Sequence, residues 1–342
     1  RTAILDRLCG PLCDAVLGLA PGAGQAELNR IERANLFIVP LDDERRWFRY
    51  HHLFAELLRQ RRLQVSALAS AADDHERASR WFESQGLDAE AFHHAVASGD
   101  IDLAARLAIG ADSMPLHFRG VVAPVLTWLE TLPPAELDAR PALWVIGASA
   151  QLYAGRLEGI EAKLRAAEAR LTDDDPDPVV RDLVGHIASI RATVAVSLHR
   201  HDDILDQAQR ALTYIDRRNL PVKTAACWAW GYAHQLRGDI AAAHQAYAEA
   251  LSVAEPIGHG MIVLLATLGL GGCAEAWGEH DQALATYAHV IELAGDPPLP
   301  VAAEAWLGMA RIQLSRGDRE AAETCGQRAR QLARYMPTTD RE

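Results

Sequence analysis

The sequence predicts a mainly α-helical protein, a small winged-helix domain followed by an α-α superhelix of stacked helical hairpins. Two observations carry this expectation. In "NLFIVPLDDERRWFRYH", apolar and aromatic residues flank Asp42-Asp43-Glu44, which reads as strand, polar turn, strand. From about residue 70 onward the apolar spacing is helical and recurs at intervals near 40 residues, the mark of a repeat array.

Taken in order, "TAILDRL" and "GPLCDAVLG" read as short amphipathic helices, with Gly10-Pro11 opening the second where proline suits a first turn. "PGAG" (21–24) reads as a flexible turn, and "AELNRIERA" (26–34) spaces Leu28 and Ile31 for a helix. After the hairpin, "HLFAELLRQRRL" returns to helical spacing through Leu53, Leu57 and Leu58. Helices followed by a two-stranded wing define a winged-helix domain over residues 1–64. A helical arm with the first hairpins is expected over 65–130, where "ASRWFESQGLDAEAFHHAVASGDIDLAARLA" turns at Gly86 and Gly99. The repeats are expected over 131–342, with "TLPPAELDARPAL" (131–143) and "TDDDPDP" (172–178) as inter-helix loops.

Three segments align on their turn glycines: "RGDIAAAHQAYAEAL", "WGEHDQALATYAHVI" and "RGDREAAETCGQRAR". The glycines are Gly238, Gly278 and Gly317, spaced 40 and 39. Five residues later stand Ala243, Ala283 and Ala322; nine later, Tyr247, Tyr287 and Gly326; twelve later, Ala250, Val290 and Ala329. Glycine ends the first helix of each hairpin in a conformation other residues resist. The small residue then lets the second helix approach, and the large one plugs the interface to the next repeat. This is the packing logic of tetratricopeptide (TPR) repeats, at a period longer than their usual ~34 residues. Weaker copies follow Gly155 and occupy "HRHDDILDQAQRALTYI", with Ala208 and Leu212 at the corresponding places.

Composition limits the function. The net charge of −12 argues against a nucleic-acid surface on this segment. The two lysines, Lys163 and Lys223, do not follow glycine, so a phosphate-cradling G-x-x-x-x-G-K-[ST] loop is absent. No apolar run approaches the ~18 residues of a membrane span, and no export signal is visible. Five scattered cysteines (Cys9, Cys13, Cys227, Cys273, Cys325) in apolar surroundings read as reduced core residues of a cytoplasmic protein. No metal is expected at Cys9 and Cys13, because no second ligand pair follows. A chain that opens on Arg1 is expected to be part of a longer polypeptide.

Catalytic groupings are scarce, and no enzyme is expected. "EHDQ" (279–282) and "HRHDD" (199–203) sit at repeat turns, where polar residues are expected to cap the next helix. His93-His94 lies in a helix, where neighbours diverge and cannot easily share one metal. "GLGGCAEAWG" (269–278) lacks the preceding strand that a dinucleotide fingerprint needs. The inward positions of the first helix in each hairpin are more informative. Counted ten, six and three residues before each turn glycine, they are Trp228, Tyr232 and Gln235; Leu268, Gly272 and Glu275; and Leu307, Arg311 and Leu314. An aromatic pair with an amide, an acid and a base could bind a small polar ligand or a peptide, so Trp228, Tyr232, Gln235, Glu275 and Arg311 form the candidate ligand site. The alternative is that Trp228 and Tyr232 fill the interface between hairpins. His51-His52, in "RWFRYHHLFAELLRQRR", leaves metal, catalytic and packing readings open.

"RTAILDRLCGPLCDAVLG", then "LNRIERANLFIVPLDDERRWFRYHHLFAELLRQRRL", resembles the winged-helix segment of MalT-like regulators, the large ATP-dependent activators of the LuxR class within the STAND signalling ATPases. "HERASRWFESQGLDAEAFHHAVASGD" and "VLTWLETLPPAELDARPAL" extend the likeness to about residue 143. The resemblance implies the order nucleotide-binding domain, winged helix, arm, repeat-built sensor, DNA-binding helix-turn-helix, with the first and last parts outside this chain. It implies no cofactor in this segment, ATP or ADP on the neighbouring domain of the same polypeptide, and DNA contact only through a domain absent here. The expected partner on the superhelix is a small-molecule inducer or a regulatory protein; the alternative is a TPR-type scaffold with no small-molecule ligand. "YHHLFAELL" is similar to the family's Met-His-Asp-Leu-Leu motif, with Tyr50 at the Met place, His51 at the His place and His52 at the Asp place. By that likeness His51 is the cofactor-binding residue, a sensor of the nucleotide β-phosphate in the full-length protein.

Overall fold

The computed structural model describes residues 1–64, 71–110, 114–172 and 176–333. The chain divides into two compact units, Arg1–Leu132 and Pro133–Glu342. Among the described residues it is almost wholly helical, with one two-stranded sheet.

The first unit opens with a single 3-10 turn, Thr2–Ile4, where the sequence suggested a short helix. Then come α1 (Gly10–Leu17), α2 (Ala23–Arg33), β1 (Ile38–Pro40), β2 (Phe48–Tyr50) and α3 (His52–Gln64). The strands pair antiparallel, Val39 opposite Arg49, and Asp42 closes the turn by accepting from the backbone N–H groups of Arg46 and Trp47. Leu8 bridges to Phe48, and both are fully buried with Leu12 and Val16. One reading needs correction. "PGAG" is a turn only over Pro21 and Gly22: α2 already begins at Ala23, and a methyl on Gly24 would lie 2.6 Å from the Gly10 carbonyl, so that glycine serves close approach of α1 and α2. The helical spacing of Leu53, Leu57 and Leu58 is met by α3, in which Leu53 and Leu57 are 66% and 56% exposed.

The arm continues through α4 (Ala71–Ser84), α5 (Asp88–Ser98), α6 (Ile101–Ile109), a 3-10 turn and α7 (Val122–Thr131). Gly86 and Gly99 turn with left-handed backbone, as their spacing suggested. The arm is tied to the winged-helix residues at its first helix. Asp74, fully buried, accepts from Arg1 (2.6 and 2.8 Å) and from Arg62 of α3 (2.6 Å). Burial works against its charge, but the two guanidiniums outweigh burial and hold the carboxyl below the usual range. Trp47 meets Trp81 edge-on at 6.1 Å, and Arg7 lies over Trp47 while pairing with Glu90.

The second unit holds α8 (Pro134–Ala139), α9 (Pro141–Tyr153), α10 (Ile160–Glu168), α11 (Pro178–Ser197), α12 (His201–Tyr214), α13 (Leu220–Leu236), α14 (Ile240–Ile257), α15 (Gly260–Ala276), α16 (His280–Leu293), α17 (Ala302–Ser315) and α18 (Arg319–Ala333). "TLPPAELDARPAL" is therefore not a loop: Pro134 and Pro141 each start a helix, where a missing N–H costs nothing. Part of "TDDDPDP" lies outside the described residues; Asp177 at its end caps α11 through the Val179 N–H.

From α9 onward odd-numbered helices are first in their hairpins (A) and even-numbered ones second (B). Each A helix packs on the next, α9 on α11 and so to α17, whereas B helices are tied to the A helices on either side. The A helices therefore form the tighter row. Gly238, Gly278 and Gly317 carry φ of 78°, 78° and 83° at the hairpin turns. The same place one repeat earlier is taken by His199, with φ 55°, so the α11–α12 turn keeps the left-handed backbone without a glycine. Asp239 and Asp318 cap their helices, but "EHDQ" and "HRHDD" do not behave as expected: neither Glu279 nor Arg200 makes a side-chain cap. All five cysteines are buried and free, and burial pushes the Cys13 thiol up to about 12.

Candidate ligand-binding face

The site grows out of the repeat interface. Tyr247, nine residues past its turn, is fully buried and wedged between two glycines: a methyl on Gly231 of α13 would lie 2.8 Å from the ring, and one on Gly269 of α15 2.5 Å. Tyr287 is held likewise by Gly271 of α15, at 2.7 Å, and more tightly by Gly308 of α17. One repeat earlier the three equivalent places are Ala208, Ala192 and Ala229, all fully buried in one cluster. A ring between two glycines and a methyl between two methyls fill comparable space, as close packing requires.

Each tyrosine delivers its hydroxyl to the predicted inner face. Tyr247 donates to Gln235 Oε1 at 2.7 Å, and Tyr287 donates to Glu275 Oε2 at 2.6 Å. Burial raises the Tyr287 hydroxyl, and the adjacent Glu275 raises it further, so it stays protonated. Arg311 reaches back from the next A helix to grip the Glu275 carboxylate with both Nε and Nη2 at 2.8 Å. Burial opposes the Glu275 charge, yet the Arg311 and Tyr287 bonds outweigh it and hold the carboxyl below its ordinary value.

The five predicted residues thus fall into two groups. On α13, Trp228 is 7% exposed with its ring 6.2 Å from that of half-buried Tyr232, while Gln235 is held by Tyr247. Across α15 and α17, Glu275 and Arg311 form one ion pair whose arginine side chain is 58% exposed. Gly272 lies between them in register. A methyl there would come 2.6 Å from Gln235 Nε2, so its absence leaves the space that the amide occupies. Leu307 and Leu314 extend the same face with exposed apolar surface. Sequence spacing listed Glu275 and Arg311, which the structure brings together, but missed Tyr287 and Tyr247 as hydrogen-bond partners, since each bond joins a B helix to an A-helix residue twelve positions earlier.

In the winged-helix domain His51 ends the wing. Its N–H donates to the Phe37 carbonyl and its own carbonyl accepts from Phe54 and Ala55, opening α3. The ring is exposed, and its centroid lies 4.5 Å from that of His52.

The winged helix followed by hairpin repeats matches two family models in the same order: the MalT winged helix domain over residues 1–69 and the MalT-like TPR region over 185–341. The chain belongs to the MalT-like family. Among relatives of this MalT-like chain, the serine/threonine-protein kinase PknK of Mycobacterium tuberculosis is 30% identical over 210 residues, 60% of this chain and 19% of that protein. The HTH-type transcriptional regulator MalT of Yersinia pestis is 30% identical over 220 residues, 64% of this chain and 24% of that protein. This MalT-like chain therefore spans about a fifth to a quarter of the relatives it matches. In fold it is similar to the STAND protein with a tetratricopeptide repeat sensor from Pyrococcus horikoshii, with a TM-score of 0.65 at 13% identity over 96% of this chain and 49% of that one. Among the described residues no helix is long and apolar enough to cross a membrane.

Proposed function

We propose that this chain is the signal-sensing and autoinhibitory region of a larger cytoplasmic regulator, and that an inducer or regulatory protein binds the A-helix face to control ATP-dependent activation of transcription. The supporting observation is that 30% identity over 210 and 220 residues links it to one protein named a kinase and another named an HTH-type transcriptional regulator. A region held in common by proteins with such different outputs serves what they share, which is receipt of a signal. In this reading ATP or ADP is bound by a neighbouring domain and DNA by another. His51 fits its part, because among the described residues its exposed ring makes no hydrogen bond and can donate to a phosphate presented from outside.

On the A-helix face, Tyr232, Gln235 and the exposed Arg311 are the groups we assign to ligand contact, with Trp228 beneath as support and Glu275 holding Arg311 in place. Calorimetry of this chain against sugars, peptides and metabolites tests the reading. The expected result is saturable binding with one class, weakened at least about tenfold, ~1.4 kcal/mol, by Arg311→Ala. A second reading, a scaffold that holds a peptide, draws on Leu307 and Leu314, 40% and 61% exposed on the same row. Silence from every small molecule, with a protein retained stoichiometrically and lost on Leu314→Asp, favours that scaffold.

A further inference from the structure

Two imidazoles meet nitrogen to nitrogen in the first unit. His75 of α4 and His94 of α5 bring their Nδ1 atoms to 2.8 Å. His94 is 4% exposed and lies flat on Phe82, with ring centroids 5.4 Å apart and planes 5° from parallel. His75 is half-buried. At that separation one Nδ1 carries a hydrogen and the other accepts it; two N–H groups cannot face each other so closely. Helix α4 is thus secured on both sides at consecutive residues, through Asp74 to Arg62 of α3 and through His75 to His94 of α5.

The charges that act on the pair are few. Arg62 comes from α3, Asp74 from α4 and His93 from α5. Arg1 is engaged with Asp74, and Arg106 of α6 grips Glu83 at the far end of α4. Residues 65–70, Val-Ser-Ala-Leu-Ala-Ser, contain no titratable side chain. Burial, then the neighbouring imidazoles of His75 and His93, hold the His94 pKa down to about 3.

We propose that the His75–His94 pair is an acid-sensitive latch, closed while the two rings share one Nδ1 hydrogen and opened when both are protonated. The first proton taken from solvent enters the His75 ring, which goes on donating from Nδ1 to neutral His94. The second must bind His94 Nδ1 itself, where it confronts the His75 N–H; the N–H···N bond breaks and His94 leaves the face of Phe82. Helix α5 then parts from α4, and the adjacent Asp74 clamp to the winged-helix residues loses its support.

The test uses the whole chain with isotope-labelled histidines, followed by NMR from neutral pH down to about 3, where His94 takes its proton, alongside amide hydrogen exchange of residues 71–98. His75 and His94 are expected to show a nitrogen–nitrogen coupling at neutral pH that disappears in acid. Exchange in 71–98 should rise at least about tenfold over the same interval. His94→Phe keeps a ring on Phe82 but takes no proton, and should abolish that rise. Independent titration of the two histidines in the unaltered chain, or the same rise in His94→Phe, overturns the latch. Should His94→Phe fail to fold, the coupling in the unaltered chain alone decides. Confining the readout to 71–98 separates it from buried histidines in the second unit.

Discussion

The hydroxyl of Tyr287 and the carboxylate of Glu275 join two hairpins at one point, because Glu275 is also the anchor of Arg311. Removing the hydroxyl leaves a buried ring of unchanged shape and takes one donor from a carboxylate that is 21% exposed. Tyr287→Phe should therefore cost about 1–2 kcal/mol in urea denaturation, near the value of a hydrogen bond to a charged group. Arg311→Ala, by contrast, removes half of an ion pair whose arginine is largely in solvent, and should change stability by less than about 1 kcal/mol. The two variants separate support from contact: the first should weaken folding more than ligand binding, the second the reverse. Asp74 gives the steepest residue-scale expectation. Asp74→Ala leaves the Arg1 and Arg62 guanidiniums facing each other in a buried site, a loss of about 3–5 kcal/mol in the first unit, read as a lowered unfolding midpoint.

At the scale of helices, the close contacts lie where glycine meets tyrosine. Gly308→Ala forces a methyl into the Tyr287 ring and should destabilise by about 1–3 kcal/mol, measured by the same denaturation. This level shows what the sequence could and could not reveal. The turn glycines, the small residue after them and the aromatic plug follow a fixed offset, so helices α13 to α18 and their faces were legible from spacing alone. His199 was not, because a histidine in left-handed backbone at a turn bears no local mark; only its 39-residue distance to Gly238 betrays it. The proline-rich stretch at 131–143 misled for a related reason. Proline breaks a helix interior yet suits its first turn, and which of the two applies depends on residues that follow. The candidate site was legible in position, through Arg311 and Glu275, and illegible in its bonding, through Tyr247 and Tyr287.

For the whole molecule, the buried histidines set the response to acid. Burial holds His186 and His259 near a pKa of about 4 and His94 near about 3, all below the ordinary 6.5. Between about pH 6.5 and 4 the unfolded chain binds protons that the folded chain refuses, so stability is full above that window and falls as pH drops through it. Thermal unfolding at pH 7 and at pH 5 should show a lower midpoint at pH 5, and His259→Gln should shrink the difference because the amide takes no proton, while it keeps a partner for Thr224, which bonds His259 at 2.9 Å. The paired packing of the repeat junctions has a consequence for descent. One junction is built of Ala208, Ala192 and Ala229, the next of Tyr247, Gly231 and Gly269, and each trio fits only as a set. To convert one kind into the other by successive codon changes, a lineage must pass through a hollow or overfilled state costing several kcal/mol at a single position. The two junction types are therefore not interchangeable one residue at a time: a swap keeps the packing only when all three members change together.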